Sequence, residues 1–428
     1  MLLVSCAFIV LILLGMPVAF SIGIAGTLFF LQYPELPFTI PIQLAVSQTQ
    51  NFALLAVPLF ILSGNVMNHA GITERLLRLS TVLTGHMRGG LAQVSIALAT
   101  LMGGVSGSCI ADAAMQTRIL GPEMLKRGFS KGYAAGILSF GSLMTPIIPP
   151  GIGFILYGTV GQVSIGRLFA GGILPGLMLW LSLAVAVSFT AKRRGYRPER
   201  VRRPSAREVA RSTWSSLWAV MFPVMLLVGL RFGIFTPSEI GAFAVVYSIF
   251  IGVLAYRELR WSTFTEALEG STLDIGGVMF LIALSGIFGY GIVWERIPEL
   301  ISGAMLGITD NPYVVMLLIV GFLLVAGCVV DGSVLIIMLT PIFLPIATEL
   351  GFDPVHFGLV FIITITIGNF TPPVGSAMYA VCTILGCPID EYTRESLPFL
   401  ATVSLVAIVL IFFPDVVLII PDLIFGKG

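Results

Sequence analysis

Apolar residues run along this chain in stretches long enough to cross a bilayer, and the polar positions fall between those stretches rather than along one face. Spans are predicted over 132–158, 165–190, 215–232, 238–256 and 275–293, each near the roughly 20 apolar residues that the hydrocarbon layer requires. Residues 1–31 carry no charge, and Glu35 is the only charged side chain before Glu74. That first run lacks a basic leader and exceeds a signal-peptide core, so it is read as a retained membrane helix. Two stretches, "ITERLLRLSTVLTGHMR" (72–88) and "WERIPELISGAML" (294–306), combine helical apolar spacing with a charged end and are expected to lie along the membrane surface.

The pattern occurs twice. "LSG" at 62–64 precedes Glu74-Arg75, and "LSG" at 284–286 precedes Glu295-Arg296. A glycine-serine cluster follows in each half, "MGGVSGSCIADAAM" (102–115) and "VAGCVVDGSVLIIM" (325–338), and then a proline pair, "TPIIPPGIGFILYG" (145–158) and "NFTPPVGSAMYAV" (369–381). The predicted organisation is an N-terminal membrane helix and connection (1–49), a first repeat (50–191), a basic loop with scaffold helices (192–268) and a second repeat (269–428). Each repeat contains a helical hairpin, near 91–117 and 312–347, and a helix broken by proline, over 132–158 and 355–385.

Charge sets the expected topology. Arg88 lies on one side of the first hairpin and Arg118, Lys126, Arg127 and Lys131 on the other, so both its ends should face the cytoplasm. Two arms of about ten residues, near 15 Å each, would make it re-entrant. Asp310, Glu349 and Asp353 flank the second hairpin instead, which should therefore enter from outside. Nine Lys and Arg between Lys192 and Arg211, of 23 in the chain, mark a cytoplasmic loop. The fold expected is an all-α integral membrane protein of two inverted repeats, in the manner of ion-coupled secondary transporters.

Hydrophobic residues are 57% of 428 positions and charged residues 11%, against about 25% in soluble chains, which excludes a soluble protein. The five cysteines have no CxxC spacing, so neither a disulfide framework nor a transition-metal site is indicated. Nucleic acid is not an expected partner of the basic loop; the lipid bilayer is.

Breaking a helix in hydrocarbon exposes carbonyls that cost several kcal/mol unless protein or a polar cavity receives them. Freed carbonyls suit a hard cation such as Na⁺, while half-helix N-termini suit an anion. Polar groups collect at these places: Ser106 and Ser108, Thr145, Ser333, and Asn369 with Thr371. Asp331, beside Gly332-Ser333 at the second tip, is the better ion ligand of the two hairpin carboxylates; Asp112 lies a turn past the first tip, with a basic partner as its alternative.

"ILLGMPVAFSIGIAGT" (12–27), "ALLAVPLFILSGNVMNHAG" (53–71), "GVSGSCIADAAM" (104–115), "PIIPPGIGFILYG" (146–158) and "IGNFTPPVGSAMYAV" (367–381) resemble the large membrane subunit of tripartite ATP-independent periplasmic (TRAP) transporters. The resemblance covers nearly the whole chain. It implies a bacterial inner-membrane, Na⁺-driven importer of organic anions, carboxylates or sialic-acid-like compounds, with an elevator-type mobile core. No cofactor beyond the coupling Na⁺ is implied. A separate small four-helix membrane subunit and a soluble periplasmic binding protein are the implied partners.

Carried onto this sequence, the tips (Gly107, Ser108, Gly332, Ser333) and the unwound segments (Thr145, Pro146, Pro149, Pro150, with Asn369, Thr371, Pro372, Pro373, Gly375) would line the sites. Sodium is expected at Ser106, Gly107, Ser108, Thr145, Pro146, Asp331, Gly332, Ser333, Asn369 and Thr371. Substrate is expected at Ser108, Asp112, Pro149, Pro150, Gly151, Ser333, Pro372, Pro373 and Gly375. Thr145 and Gly151 depart from the family, which commonly has Gly and Ser there. Two alternatives remain: a stand-alone Na⁺- or H⁺-coupled anion carrier, and an intramembrane serine protease suggested by "GVSG" (104–107), for which only His69, His86 and His356 offer a base.

Overall fold

The computed structural model describes residues 2–33, 35–200, 202–307, 309 and 311–426, among which there is no β-strand. Among the described residues six helices are long and apolar enough to cross a membrane, or seven if the pair Ala206–Ser215 and Leu217–Arg231, bent by 65°, counts as one span. Asp310, used above to place the mouth of the second hairpin, lies outside the described residues.

The N-terminal run forms two helices, Leu2–Leu13 and Val18–Gln32, rather than one. Gly15 at φ +83° and Pro17 separate them, a conformation and a missing donor that no helix interior accommodates. A third helix, Ile40–Thr49, follows, and the last two pack on Trp261–Trp294. There Gly23 and Gly26 bring the backbone against Leu284 and Ile287. Trp261–Trp294 begins fourteen residues before the predicted span, because the turn at Arg260 is closed by Thr263, whose side chain accepts from the Arg260 N–H.

Both hairpins form. The first pairs Gly90–Gly103 with Cys109–Lys126, and Ser95 Oγ donates to Gln116 Oε1 at 2.9 Å across it, nearly equidistant from the tip. The second pairs Pro312–Gly327 with Gly332–Glu349, where the rings of Phe322 and Phe343 are 5.6 Å apart. Their arms exceed the ten residues expected: the two second arms have 18 each, about 27 Å of helix. Arg118 does not end the first hairpin, since an exposed charge on a helix is no stop signal. The helix runs on to Lys126 and ends before Gly128 at φ +85°.

After each hairpin comes a broken helix. Lys131–Gly141 is followed by a 3₁₀ turn, Ser142–Met144, the segment 145–151 and then Ile152–Val160; Pro354–Asn369 is followed by 370–375 and Ser376–Leu385. The peptide bonds Pro149–Pro150 and Pro372–Pro373 are both cis. The same 223-position offset relates Ser108 to Asp331, Ser130 to Asp353 and Pro149 to Pro372, so the halves share element order, cap positions and breaks.

Every residue from Val355 to Asn369, and from Gly132 to Gly141, is buried, so the first limbs of the two broken helices form the centre of the molecule. The rings of Phe140 and Phe370 meet there at 5.8 Å. Tyr392 Oη donates to Phe370 O at 2.8 Å and satisfies a carbonyl that the second break leaves open.

The surface stretches are the helices Ile72–Thr84 and Ile297–Leu306, and they pack on Gly90–Gly103 and Gly332–Glu349 respectively. Nor is the basic loop free throughout. Tyr196 stacks on Phe129 at 4.1 Å, its hydroxyl accepts from Ser130 N at 3.2 Å, and Arg200 N donates to Gly85 O at 2.9 Å.

Candidate functional site

Each hairpin tip packs onto the break of its own half through backbone. Gly107, at φ +63°, lies where an added Cβ would stand 2.7 Å from Pro150 O. Across the molecule Gly375 N donates to Cys328 O at 2.8 Å. Gly327 and Gly368 approach so closely that a Cβ on Gly368 would stand 2.6 Å from the Gly327 Cα. Only glycine permits such contacts, which is why the clusters legible in the sequence are rich in it.

Between the two tips lies a cavity of about 460 Å³. The first tip contributes Ser106, Gly107 and Ser108, and the second Asp331, Gly332 and Ser333. Pro146 and Asn369, which correspond by the 223-position offset, reach it from the two breaks. Asn369 is 3% exposed; its amide nitrogen lies against Gly332, where a Cβ would be 3.0 Å away, and its Oδ1 has no hydrogen-bond partner. Ser106 Oγ is likewise buried and unpartnered.

Two 18-residue helices start at this cavity, each capped by its own side chain. Ser108 Oγ accepts from Ala111 N at 3.5 Å, and Asp331 Oδ1 accepts from Ser333 N at 2.9 Å. Both N-termini add partial positive charge to the space between them.

The remaining predicted residues lie outside the cavity lining. Asp112 is buried, and its Oδ2 accepts from Gln116 Nε2 and Thr145 Oγ1, both at 2.8 Å. The basic partner allowed for Asp112 is therefore replaced by an amide and a hydroxyl, and the carboxylate joins hairpin to break. Pro149, Pro150 and Gly151 are buried behind the first tip, where a Cβ on Gly151 would collide with Pro146 O. Thr371 Oγ1 donates to Ile367 O at 2.8 Å; with Pro372, Pro373 and Gly375 it forms the turn that supports the second tip.

Asn65, Asn68 and Asp274 also line the cavity, as does Thr366, and sequence reasoning singled out none of them. Asn65 Nδ2 donates to Asp274 Oδ2 at 3.3 Å, joining Ala56–His69 to Trp261–Trp294. The available signal was Asp274 itself, a lone carboxylate at the edge of an apolar run. As for a protease, Ser106 Oγ has no hydrogen-bond partner and therefore no activating base.

The fold is that of a helical membrane protein whose two hairpins and two broken helices close on one cavity. Two solved transporters share the fold: YdaH of Alcanivorax borkumensis (TM-score 0.61, 15% identity, 87% of this chain and 88% of that one) and MtrF of Neisseria gonorrhoeae (TM-score 0.60, 14% identity, 87% and 83%). Residues 5–416 match the family described as tripartite ATP-independent periplasmic transporter, DctM component, and the chain belongs to that family.

Among its relatives are the sialic acid TRAP transporter large permease of Vibrio cholerae (34% identity over 98% of this chain and 97% of the relative) and the 2,3-diketo-L-gulonate large permease of Escherichia coli (32%, 95% and 96%). The C4-dicarboxylate large permease of Pseudomonas aeruginosa is 33% identical over 94% of both chains. These are permeases, not enzymes. The chain is a secondary transporter of organic acids and a multi-pass protein of the inner membrane.

Proposed function

We propose that this chain is the large membrane subunit of a sodium-driven uptake system for an organic anion. It works with a separate small four-helix membrane subunit and with a soluble periplasmic protein that delivers the substrate. The observation that carries the reading is the meeting of both tips, with Asn369 and Pro146, at one cavity.

Sodium binds at the tip and break of each half, drawing on Ser106, Ser108, Asp331, Ser333 and Asn369; the unpartnered Oδ1 of Asn369 is an oxygen ready for a hard cation. The bound cations offset the carboxylate of Asp331 and prepare the space between the helix N-termini for an anion. Thr145, Asp112 and the two proline pairs hold these groups in place from behind. The halves are inserted in opposite orientations, as their flanking charges suggest, and the hairpins with their broken helices move as an elevator against the helices that carry Asn65 and Asp274.

Uptake into liposomes containing this chain, the small subunit and the binding protein tests the proposal. Asn369→Ala and Ser333→Ala should each raise the Na⁺ concentration needed for half-maximal uptake. Unchanged Na⁺ dependence in both removes them from the ion seat, and uptake by this chain alone points to a solitary carrier.

A further inference from the structure

We propose that the helix Ala206–Ser215 anchors anionic phospholipid, with Arg207 and Arg211 on the headgroup phosphate and Trp214 at the boundary with the acyl chains. None of these residues lines the cavity between the tips, so the site stands independently of the sodium reading.

Ser205 starts the helix, its Oγ accepting from Glu208 N at 3.2 Å, and the residues that follow divide between two faces. Glu208, Val209, Ser212 and Thr213 are half-buried, and the helix packs on Ile72–Thr84. Arg207, Arg211 and Trp214, spaced i, i+4 and i+7, are exposed along the other face, the indole to 76%. Charge divides in the same way. The two acidic residues of 197–211 are taken, Glu199 by Arg127 and Glu208 by Arg200. Arg202, Arg203, Arg207 and Arg211 are exposed and have no ion pair among the described residues.

What covers such a face follows from the bend that comes next. At Ser216 the chain turns by 65° into Leu217–Arg231, which has no charge before Arg231 and exposes Trp218, Met221, Val224 and Val228. The indoles of Trp214 and Trp218 straddle that turn. An indole, apolar but with one N–H donor, suits the level where headgroups meet acyl chains. Because the helix is bent away from the span, Arg207 and Arg211 stay near headgroup depth, and each guanidinium can give two parallel N–H bonds to phosphate oxygens. A zwitterionic headgroup offsets its phosphate with its own cation, so the lipid favoured here is one of net negative charge. Ser216 Oγ donates to Arg75 O at 3.1 Å, and the anchor thereby also fixes the depth of Ile72–Thr84.

The test is quenching of Trp214 fluorescence by brominated lipid in vesicles that hold the full-length chain. Phosphatidylcholine vesicles contain a minor fraction of either phosphatidylglycerol or phosphatidylcholine brominated on the acyl chain, and the Trp214 signal is the difference between wild type and Trp214→Phe. Brominated phosphatidylglycerol should quench it several-fold more than brominated phosphatidylcholine at the same fraction, and added salt should shrink that preference. Arg207→Gln with Arg211→Gln should abolish the preference, while Arg118→Gln, at an exposed arginine elsewhere, should keep it. Equal quenching by the two lipids overturns the inference, and so does a preference that survives in the double variant. Quenching by neither lipid means that water or a protein covers Trp214 and overturns it as well. Should the double variant fail to fold, the salt series on wild type decides, because a preference indifferent to salt cannot come from exposed guanidinium and phosphate.

Discussion

Ser108 and Asp331 occupy the same station in the two halves, each capping the second arm of its hairpin, and only Asp331 is charged. One architectural plan therefore presents two different electrostatic environments across a single cavity. The charged cap brings a full negative charge to its tip and the neutral one only a hydroxyl.

The Asp331 cap and the Asp331 charge separate by mutation. Asp331→Asn keeps a side-chain acceptor for Ser333 N, whereas Asp331→Ala removes it at a cost of about 1 kcal/mol in helix stability. Both should raise the Na⁺ concentration for half-maximal uptake, but only the alanine variant should also lower the unfolding temperature measurably. Wild-type Na⁺ dependence in the asparagine variant would remove the carboxylate from the ion seat.

Asp112 is expected to act on stability before transport. Asp112→Ala leaves Gln116 Nε2 and Thr145 Oγ1 without their acceptor, at about 1–3 kcal/mol for each buried group. Thermal unfolding of the purified chain should show this loss, and Thr145→Val a smaller one. An unchanged midpoint for Asp112→Ala would mean that the buried network contributes nothing.

Glycine substitutions should divide by location. Gly107→Ala must place a Cβ 2.7 Å from Pro150 O at a positive φ, and should lose folded protein on size-exclusion chromatography. Gly276→Ala, within Trp261–Trp294 with nothing within 4 Å of its added Cβ, should elute as wild type and gain up to about 1 kcal/mol of helix propensity.

Tyr196 should control access to the basic segment. Its stacking on Phe129 and its contact with Ser130 N hold the chain just ahead of Arg197, while Arg127 pairs with Glu199 at 2.6 Å. Tyr196→Ala should speed tryptic cleavage after Arg200 several-fold through local opening, read by mass spectrometry of timed digests. Equal rates would show that the ion pairs suffice.

The hairpins and breaks were legible because glycine and proline act locally: a positive φ at Gly107 or a proline pair at 149–150 leaves a mark within a few residues. Their duplication gave the element order of the second half. Arm length was not legible, since it depends on where a helix such as Cys109–Lys126 finds its cap, and Arg118 hid the continuation. Asn65, Asn68 and Asp274 escaped notice because their place at the cavity comes from two helices distant in sequence meeting there. Nor does the sequence distinguish lining from support: Thr145 and Asp112 sit close in sequence to cavity-lining residues yet bond to each other outside the lining.

The contact between Gly327 and Gly368 leaves no side chain to act as a bearing between the second hairpin and its broken helix. With the Gly375 N–Cys328 O bond beside it, that hairpin is welded to the helix rather than hinged on it. A swinging flap is thus a poor description of this half. Under the elevator reading proposed above, whatever sits between Asp331 and Asn369 would travel with its berth intact.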